Sequence, residues 1–150
     1  MEVQPYKQAG FAYAALENEV PARVTLNVMQ SGFAFRLRMK PEFTGPCARC
    51  LEEATLTLRI DSYEVHDPSD GDEDLVSDFV AADDLHVADW AQDAIGLEFP
   101  HRVLCAEDCR GLCATCGTNL NEVECACVPE QGDSRWDALR ALQIEEPSEN

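Results

Sequence analysis

Ala22-Arg-Val-Thr-Leu-Asn-Val-Met-Gln-Ser31-Gly32-Phe33-Ala-Phe-Arg-Leu-Arg-Met-Lys40 alternates apolar and polar side chains on both sides of a Ser-Gly break. A period of two marks half-buried strands, and Ser31-Gly32 has the composition of a hairpin turn. The alternation puts Val24, Leu26 and Val28 on one face of the first strand, and Phe33, Phe35, Leu37 and Met39 on one face of the second. The second strand turns Arg36, Arg38 and Lys40 to solvent, which makes it the basic stripe of the chain. An antiparallel sheet is therefore the expected framework.

Downstream, Pro41 and Gly45-Pro46 interrupt the pattern, a first cysteine pair follows, and Ala54–Ile60 resumes as a strand with Leu56, Leu58 and Ile60 in register. Asp67-Pro-Ser-Asp-Gly-Asp-Glu-Asp74 reads as a solvated loop. Its alternating aspartates suggest calcium, but Leu75 stands where an EF-hand loop needs glycine and Ala81 where it needs glutamate. Val87, Trp90, Ala91, Ala94 and Ile95 follow helical spacing, Gly96 can close that helix and Pro100 forbids its continuation. A second short helix is expected from Ser134, with Trp136, Leu139 and Leu142 on one side, before a disordered tail at 145–150.

The expected fold class is α+β: a small antiparallel β-sheet with one or two helices and a C-terminal Cys-rich zinc-knuckle segment. The boundaries are residues 1–104 for the sheet-and-helix body, including the acidic loop 67–74, then 105–144 for the Cys-rich segment with its helix.

The 150 residues carry a formal charge of −18, and between residues 60 and 101 there are thirteen Asp or Glu and no Lys or Arg. A surface of that sign repels phosphate backbones and concentrates cationic partners, so it disfavours direct nucleic-acid contact and suits a basic protein. Met1-Glu-Val-Gln-Pro-Tyr-Lys7 lacks the basic and apolar regions of a leader, and no apolar run reaches the length of a bilayer span. We expect a soluble, cytoplasmic protein with no membrane partner.

In a reducing compartment, eight clustered cysteines are metal ligands before they are disulfides. A Cys-x-x-Cys turn converges two thiolates on one ion, and structural Zn²⁺ takes four such ligands at tetrahedral corners. Cys113 and Cys116 form one such turn, followed by Gly117, whose freedom at positive φ suits a tight knuckle. Cys125 and Cys127 can complete that site. Cys47 and Cys50 form the other turn, with Cys105 and Cys109 left to meet them. An extended Cys-x-Cys points its side chains to opposite faces, so Cys125 and Cys127 share an ion only where the backbone turns; otherwise one of them is a bystander. His101, His66 and His86 are the alternative ligands.

Catalytic readings fit less well. Cys109-x-x-x-Cys113-x-x-Cys116 matches the spacing of radical enzymes that hold an iron–sulfur cluster, but that chemistry needs a large barrel and leaves four cysteines idle. Cys47-Ala-Arg-Cys50 as a redox dithiol wants a helix N-terminus, whereas a strand follows it. No nucleophile elbow, phosphate-cradling loop or His-Glu-x-x-His segment is present.

Cys47-Ala-Arg-Cys50-Leu51-Glu52, Phe99-Pro100, Cys109-Arg-Gly-Leu-Cys113-Ala-Thr-Cys116-Gly-Thr-Asn-Leu-Asn121 and Cys125-Ala-Cys127 together resemble the YceD family of large ribosomal RNA subunit accumulation proteins. The likeness covers roughly residues 47–142. It departs at Ala114, where proline is common, and at Asp133-Ser134-Arg135, where Asp-Pro-Arg is usual. The resemblance implies a ribosome biogenesis factor, not an enzyme, that supports accumulation or processing of large-subunit (23S) rRNA. Its implied partner is a ribosomal protein or a large-subunit assembly intermediate, with no small-molecule substrate. Arg36, Arg38, Lys40 and Arg49 are the residues placed to touch a partner or RNA. The alternative is a zinc or dithiol redox or regulatory protein outside ribosome assembly.

Overall fold

A computed structural model describes residues 1–69, 71–82 and 84–128. The expected helix from Ser134 and the tail at 145–150 lie outside these residues.

The hairpin forms, and it belongs to one of three sheets among the described residues. Strands β1 (Tyr6–Gln8) and β2 (Phe11–Ala15) lead into β3 (Ala22–Val28) and β4 (Phe33–Met39), which pair antiparallel with Val24 opposite Leu37, Leu26 opposite Phe35 and Val28 opposite Phe33. The connection is longer than Ser31-Gly32 alone: Met29 N–H donates to Gly32 O, so four residues link the strands. Gly32 is required for steric reasons, since a Cβ there would lie 2.0 Å from the backbone oxygen of His66.

The strand expected over Ala54–Ile60 divides. Strand β5 (Glu42–Pro46) pairs with β6 (Glu53–Thr57), the chain turns at Leu58-Arg59, and β7 (Ile60–His66) joins the other edge of β4. Leu58 N–H donates to Pro41 O, which draws the apolar Leu58 inward while the chain changes sheets. The sheets are thus β1-β2-β5-β6, β3-β4-β7, and a short hairpin of β8 (Val80–Ala81) and β9 (Asp84–Leu85). The acidic segment between β7 and β8 is a loop with a 3₁₀ turn at Glu73–Leu75, organised by Asx hydrogen bonds from Ser69 and Asp74 backbone N–H groups to Asp67 and Asp72.

Helix α1 (Val87–Glu98) runs two residues past Gly96, and ends where Phe99 turns extended ahead of Pro100. It buries Trp90, Ala91, Ala94 and Ile95, the stripe that the spacing marked. Trp90 meets Phe35 edge-on at 5.1 Å and donates its indole N–H to Ser62 Oγ at 2.9 Å, so this large ring is buried with its polar atom satisfied. Phe99 is surrounded by Tyr6, Tyr13 and Phe43 at centroid distances of 4.3 to 5.4 Å. The core formed in this way is continuous with Val103, Cys47, Cys50 and Cys109. The described residues are therefore mostly antiparallel sheet with one helix.

Strand β3 departs from its pattern. Its apolar side chains lie on the core-facing side of the sheet, but the helix packs over β7 and β4 and leaves them uncovered. Among the described residues, no helix is long and apolar enough to cross a membrane.

Candidate metal centre

Two turns of the chain have the same backbone. In the β5–β6 connection, Cys47 N–H donates to Glu52 O at 2.8 Å and Leu51 N–H donates to Cys47 O at 3.0 Å. In the later segment, Cys113 N–H donates to Thr118 O at 2.9 Å and Gly117 N–H donates to Cys113 O at 2.8 Å. Each turn needs a left-handed residue just after its second cysteine. Gly117 has φ +74°, whereas the first turn puts Leu51 at φ +64°. Each is a knuckle that points backbone N–H groups at its own sulfurs, as where Arg49 N–H reaches Cys47 Sγ at 3.4 Å.

The chain after α1 brings the remaining ligand candidates. Ala48 N–H donates to Val103 O, Leu112 N–H donates to Arg49 O, and the Arg49 guanidinium donates to Cys109 O at 2.7 Å. These bonds stitch residues 103–112 along the first knuckle. Gly111, at φ +76°, permits the approach, because a Cβ there would meet Arg49 O at 3.1 Å. Cys47, Cys50, Cys105 and Cys109 then converge, with all four Sγ atoms within 4.8 Å of one another. The other quartet, Cys113, Cys116, Cys125 and Cys127, converges within the same limit. Both residues of Cys125-Ala-Cys127 turn inward, so neither stands aside.

The spacing discriminates between chemistries. Cys47 and Cys109 sulfurs are 3.7 Å apart, and those of Cys50 and Cys105 are 3.5 Å apart. A disulfide requires about 2.05 Å. Four sulfurs at about 2.3 Å from one tetrahedral ion are about 3.8 Å from each other. Both quartets could hold a thiophilic metal ion.

Thiol acidity supports that fit. Burial opposes ionisation of Cys47, but backbone N–H groups of Cys50, Arg49 and Cys105 overcome it and bring the thiol to about 6. Backbone N–H groups of Cys116 and Thr115 bring Cys113 to about 6 as well. Their neighbours go the other way: Cys105 is pushed up to about 12, chiefly by the Cys50 and Cys109 sulfurs, and Cys127 to about 12, chiefly by that of Cys116. The first quartet is thus built around one ready thiolate and the second around Cys113, with the Cys116 thiol also drawn down by the Thr118 hydroxyl and N–H, and further negative sulfurs beside these are costly until a cation sits between them.

The quartets differ in setting. Cys47, Cys50 and Cys109 are buried in the core and Cys105 is exposed, whereas the second quartet is partly exposed throughout. Asn121 links the two: its side-chain N–H donates to Cys109 Sγ at 3.4 Å, and its Oδ1 accepts the Arg110 N–H at 2.7 Å. Asn119 Oδ1 in turn accepts from Asn121, and Leu120 N–H donates to Gly111 O. Asn119, Asn121 and Gly111 were visible in sequence only as members of a motif. The histidines take no place in either quartet, and His86 instead lies 3.8 Å from Asp89.

The four cations of the sequence reading separate. Arg36 is held by Asp61 through two hydrogen bonds, Arg38 reaches the same carboxylate at 3.3 Å, and Arg49 serves the first knuckle. Arg38 and Lys40 join Arg23 and Arg59 around an open depression of about 680 Å³ that also includes Asp61.

Residues 35–143 match the family described as large ribosomal RNA subunit accumulation protein YceD. The chain belongs to the YceD family. The YceD match takes in both cysteine quartets and all of α1. A chloroplastic large ribosomal RNA subunit accumulation protein YCED homolog 1 from Zea mays is 41% identical over 66 residues, covering 40% of this chain and 22% of the relative. Its Arabidopsis thaliana counterpart is 30% identical over 60 residues, covering 40% of this chain and 19% of the relative. An uncharacterized Mycobacterium tuberculosis protein is 36% identical over 100 residues, 63% of this chain and 48% of the relative. The chain thus spans less than half the length of these relatives. No solved structure matches.

Proposed function

We propose that this YceD-family chain is a zinc-binding, non-enzymatic ribosome biogenesis factor that supports accumulation or processing of large-subunit rRNA by binding a basic ribosomal protein. The observation that carries the structural half is the pair of four-sulfur clusters, each with its Sγ atoms within 4.8 Å of one another, set on twin knuckles. Cys47, Cys50, Cys105 and Cys109 would hold one Zn²⁺, and Cys113, Cys116, Cys125 and Cys127 a second. The ion supplies positive charge that lets four thiolates share a site, and so fixes residues 103–128 against the sheet. Zinc has no redox chemistry of its own, so the sites shape a surface.

The family description supports the ribosomal half, and the charge of −18 supports a cationic protein as the partner. A cytoplasmic setting follows from this reading. Direct rRNA contact is the second reading, favoured by the four cations Arg23, Arg38, Lys40 and Arg59 at one depression. Dithiol exchange is less well supported, because Cys47, the more acidic thiol of its pair, is fully buried and attack needs access.

The test is retention of purified large-subunit proteins on the immobilised chain, with and without RNase. A basic ribosomal protein retained after RNase treatment is the expected result. Retention abolished by RNase, and by Arg23→Ala with Arg59→Ala, would transfer the function to RNA contact.

A further inference from the structure

The outer face of the β3-β4-β7 sheet gathers cations in a chain of the opposite sign. Register sets its rows: Arg23, Arg38 and Asp61 lie side by side across the three strands, and Thr25, Arg36 and Tyr63 form the next row. Alternation turns all six side chains away from the core, and all six residues are exposed. Lys40 and Arg59 stand beyond the first row, where with Arg23 and Arg38 they surround the open depression of about 680 Å³. Arg23, Arg36, Arg38, Lys40 and Arg59, five of the chain's 11 Lys and Arg, therefore share one face, and Asp61 is the one carboxylate among the residues lining the depression.

That carboxylate does not neutralise the face. Asp61 holds Arg36 through two hydrogen bonds and reaches Arg38 at 3.3 Å, whereas Arg23, Lys40 and Arg59 have no ion pair among the described residues. Arg23 also stands directly opposite Arg38, and like charges in that position destabilise a sheet unless an anion lies between them. A second observation selects the anion. Tyr63 is 59% exposed in the adjacent row, directly across from Arg36, and its ring is stacked on no other aromatic side chain among the described residues. Adjacent rows on one face are about 6.8 Å apart, so a ring that can hold a base adjoins guanidinium groups that can hold a phosphate. An acidic protein segment would satisfy the cations and leave Tyr63 unused.

We infer that this sheet face binds a single-stranded segment of RNA. One base stacks on Tyr63 with the Arg36 guanidinium beside it, positioned by Asp61, while Arg23, Arg38, Lys40 and Arg59 take the neighbouring phosphates. Thr25 offers its hydroxyl to a base edge from the same row as Tyr63. A duplex keeps its bases stacked on one another and away from such a ring, so the single strand is the ligand. The net charge of −18 does not prevent the contact. Exposed charges more than a Debye length away, about 8 Å at physiological ionic strength, are largely screened, so the local cations decide. This inference rests on the second reading above, direct rRNA contact, and assigns its surface and ligand; it is independent of the ribosomal-protein partner.

The test is fluorescence anisotropy of a labelled single-stranded dodecaribonucleotide of mixed sequence, titrated with the full chain as purified over a series of salt concentrations. Tyr63→Leu should weaken binding about tenfold with the salt slope unchanged, and Tyr63→Phe should bind as the parent does. Arg23→Ala with Arg59→Ala should weaken binding and lower the slope of log affinity against log salt by about 1.4, the share of two phosphate contacts on a single strand. All of these side chains are exposed, so the variants keep the fold. Binding that none of the variants alters would overturn this surface and leave direct rRNA contact standing. Equal affinity for the duplexed oligonucleotide or for poly-glutamate, or unchanged affinity of Tyr63→Leu, would overturn the stacked base. An unchanged slope in the double variant would overturn the phosphate contacts. No binding even at low salt would overturn both this inference and direct rRNA contact, while retention of a ribosomal protein after RNase treatment stays a separate result.

Discussion

At Leu51 and Gly117 the two knuckles use one backbone conformation with two different residues. A Cβ in the left-handed region costs about 1–2 kcal/mol. Gly117→Ala should therefore destabilise the chain by about 1 kcal/mol in denaturant titration, whereas Leu51→Gly should cost nothing despite the greater freedom it gives the unfolded chain. Acidity acts at the same scale. Cys105 and Cys127 lie near 12 and are protonated at neutral pH, whereas Cys47 and Cys113 lie near 6 and are ionised. On the proposal that these quartets hold metal, the ion would have to displace the protons of the former, so affinity should rise with pH and fall on acidification, by about tenfold per pH unit for each proton released. Chelator competition between pH 6 and 8 measures it; a flat profile would contradict the thiolate assignment. The grouping of the cysteines into two sets of four was legible because a Cys-x-x-Cys turn is written in its spacing. Leu51 was not, since nothing about leucine announces positive φ. Asn121 was half legible: its motif stood in the sequence, but its hydrogen bond to Cys109 exists only once the chain has folded.

Helix α1 shows what elements disclose and conceal. Its buried stripe is read directly from a period of 3.6, and Phe99 with Pro100 sets its end better than Gly96 does. Trp90→Ala should cost about 3–5 kcal/mol, because it opens a cavity against Phe35 and leaves Ser62 without its donor. Trp90→Phe should recover most of that loss, the difference being the lost hydrogen bond, about 1 kcal/mol; both follow from equilibrium unfolding. The β3–β4 hairpin was equally plain. Strands β1, β2 and β5 escaped because they are three to five residues long, too short for alternation to declare itself. The break at Leu58-Arg59 escaped because periodicity continues through a turn that only the Leu58 to Pro41 bond reveals. The open face of β3 has the same origin: alternation says which side is apolar, and tertiary packing decides whether anything covers it.

Over the whole molecule, a core rich in aromatic rings merges with the first sulfur quartet, and a more exposed second quartet is held to it through Gly111 and Asn121. Removing metal should then act unequally. With a strong chelator, amide exchange should rise first across residues 113–127, next across 103–112, and least in β4 and α1, whose backbone hydrogen bonds lie within the sheet and the helix and not in the knuckles. Uniform exchange across all of these would contradict that order. The charge distribution was legible in the sequence, since a run of thirteen acids without a cation needs no structure to be seen. The pairing of Arg36 and Arg38 with Asp61, and the diversion of Arg49 to the first knuckle, were not, because they depend on the register of β4 with β7 and on the path of residues 103–112. The most direct measurement is metal content with ligand identity: elemental analysis of the chain purified without chelator, paired with X-ray absorption at the zinc edge. The account predicts two zinc ions per chain, each with four sulfur neighbours at about 2.3 Å, and one ion per chain after Cys113→Ser with Cys116→Ser. A cooperatively folded chain that holds no metal and titrates eight free thiols would contradict it.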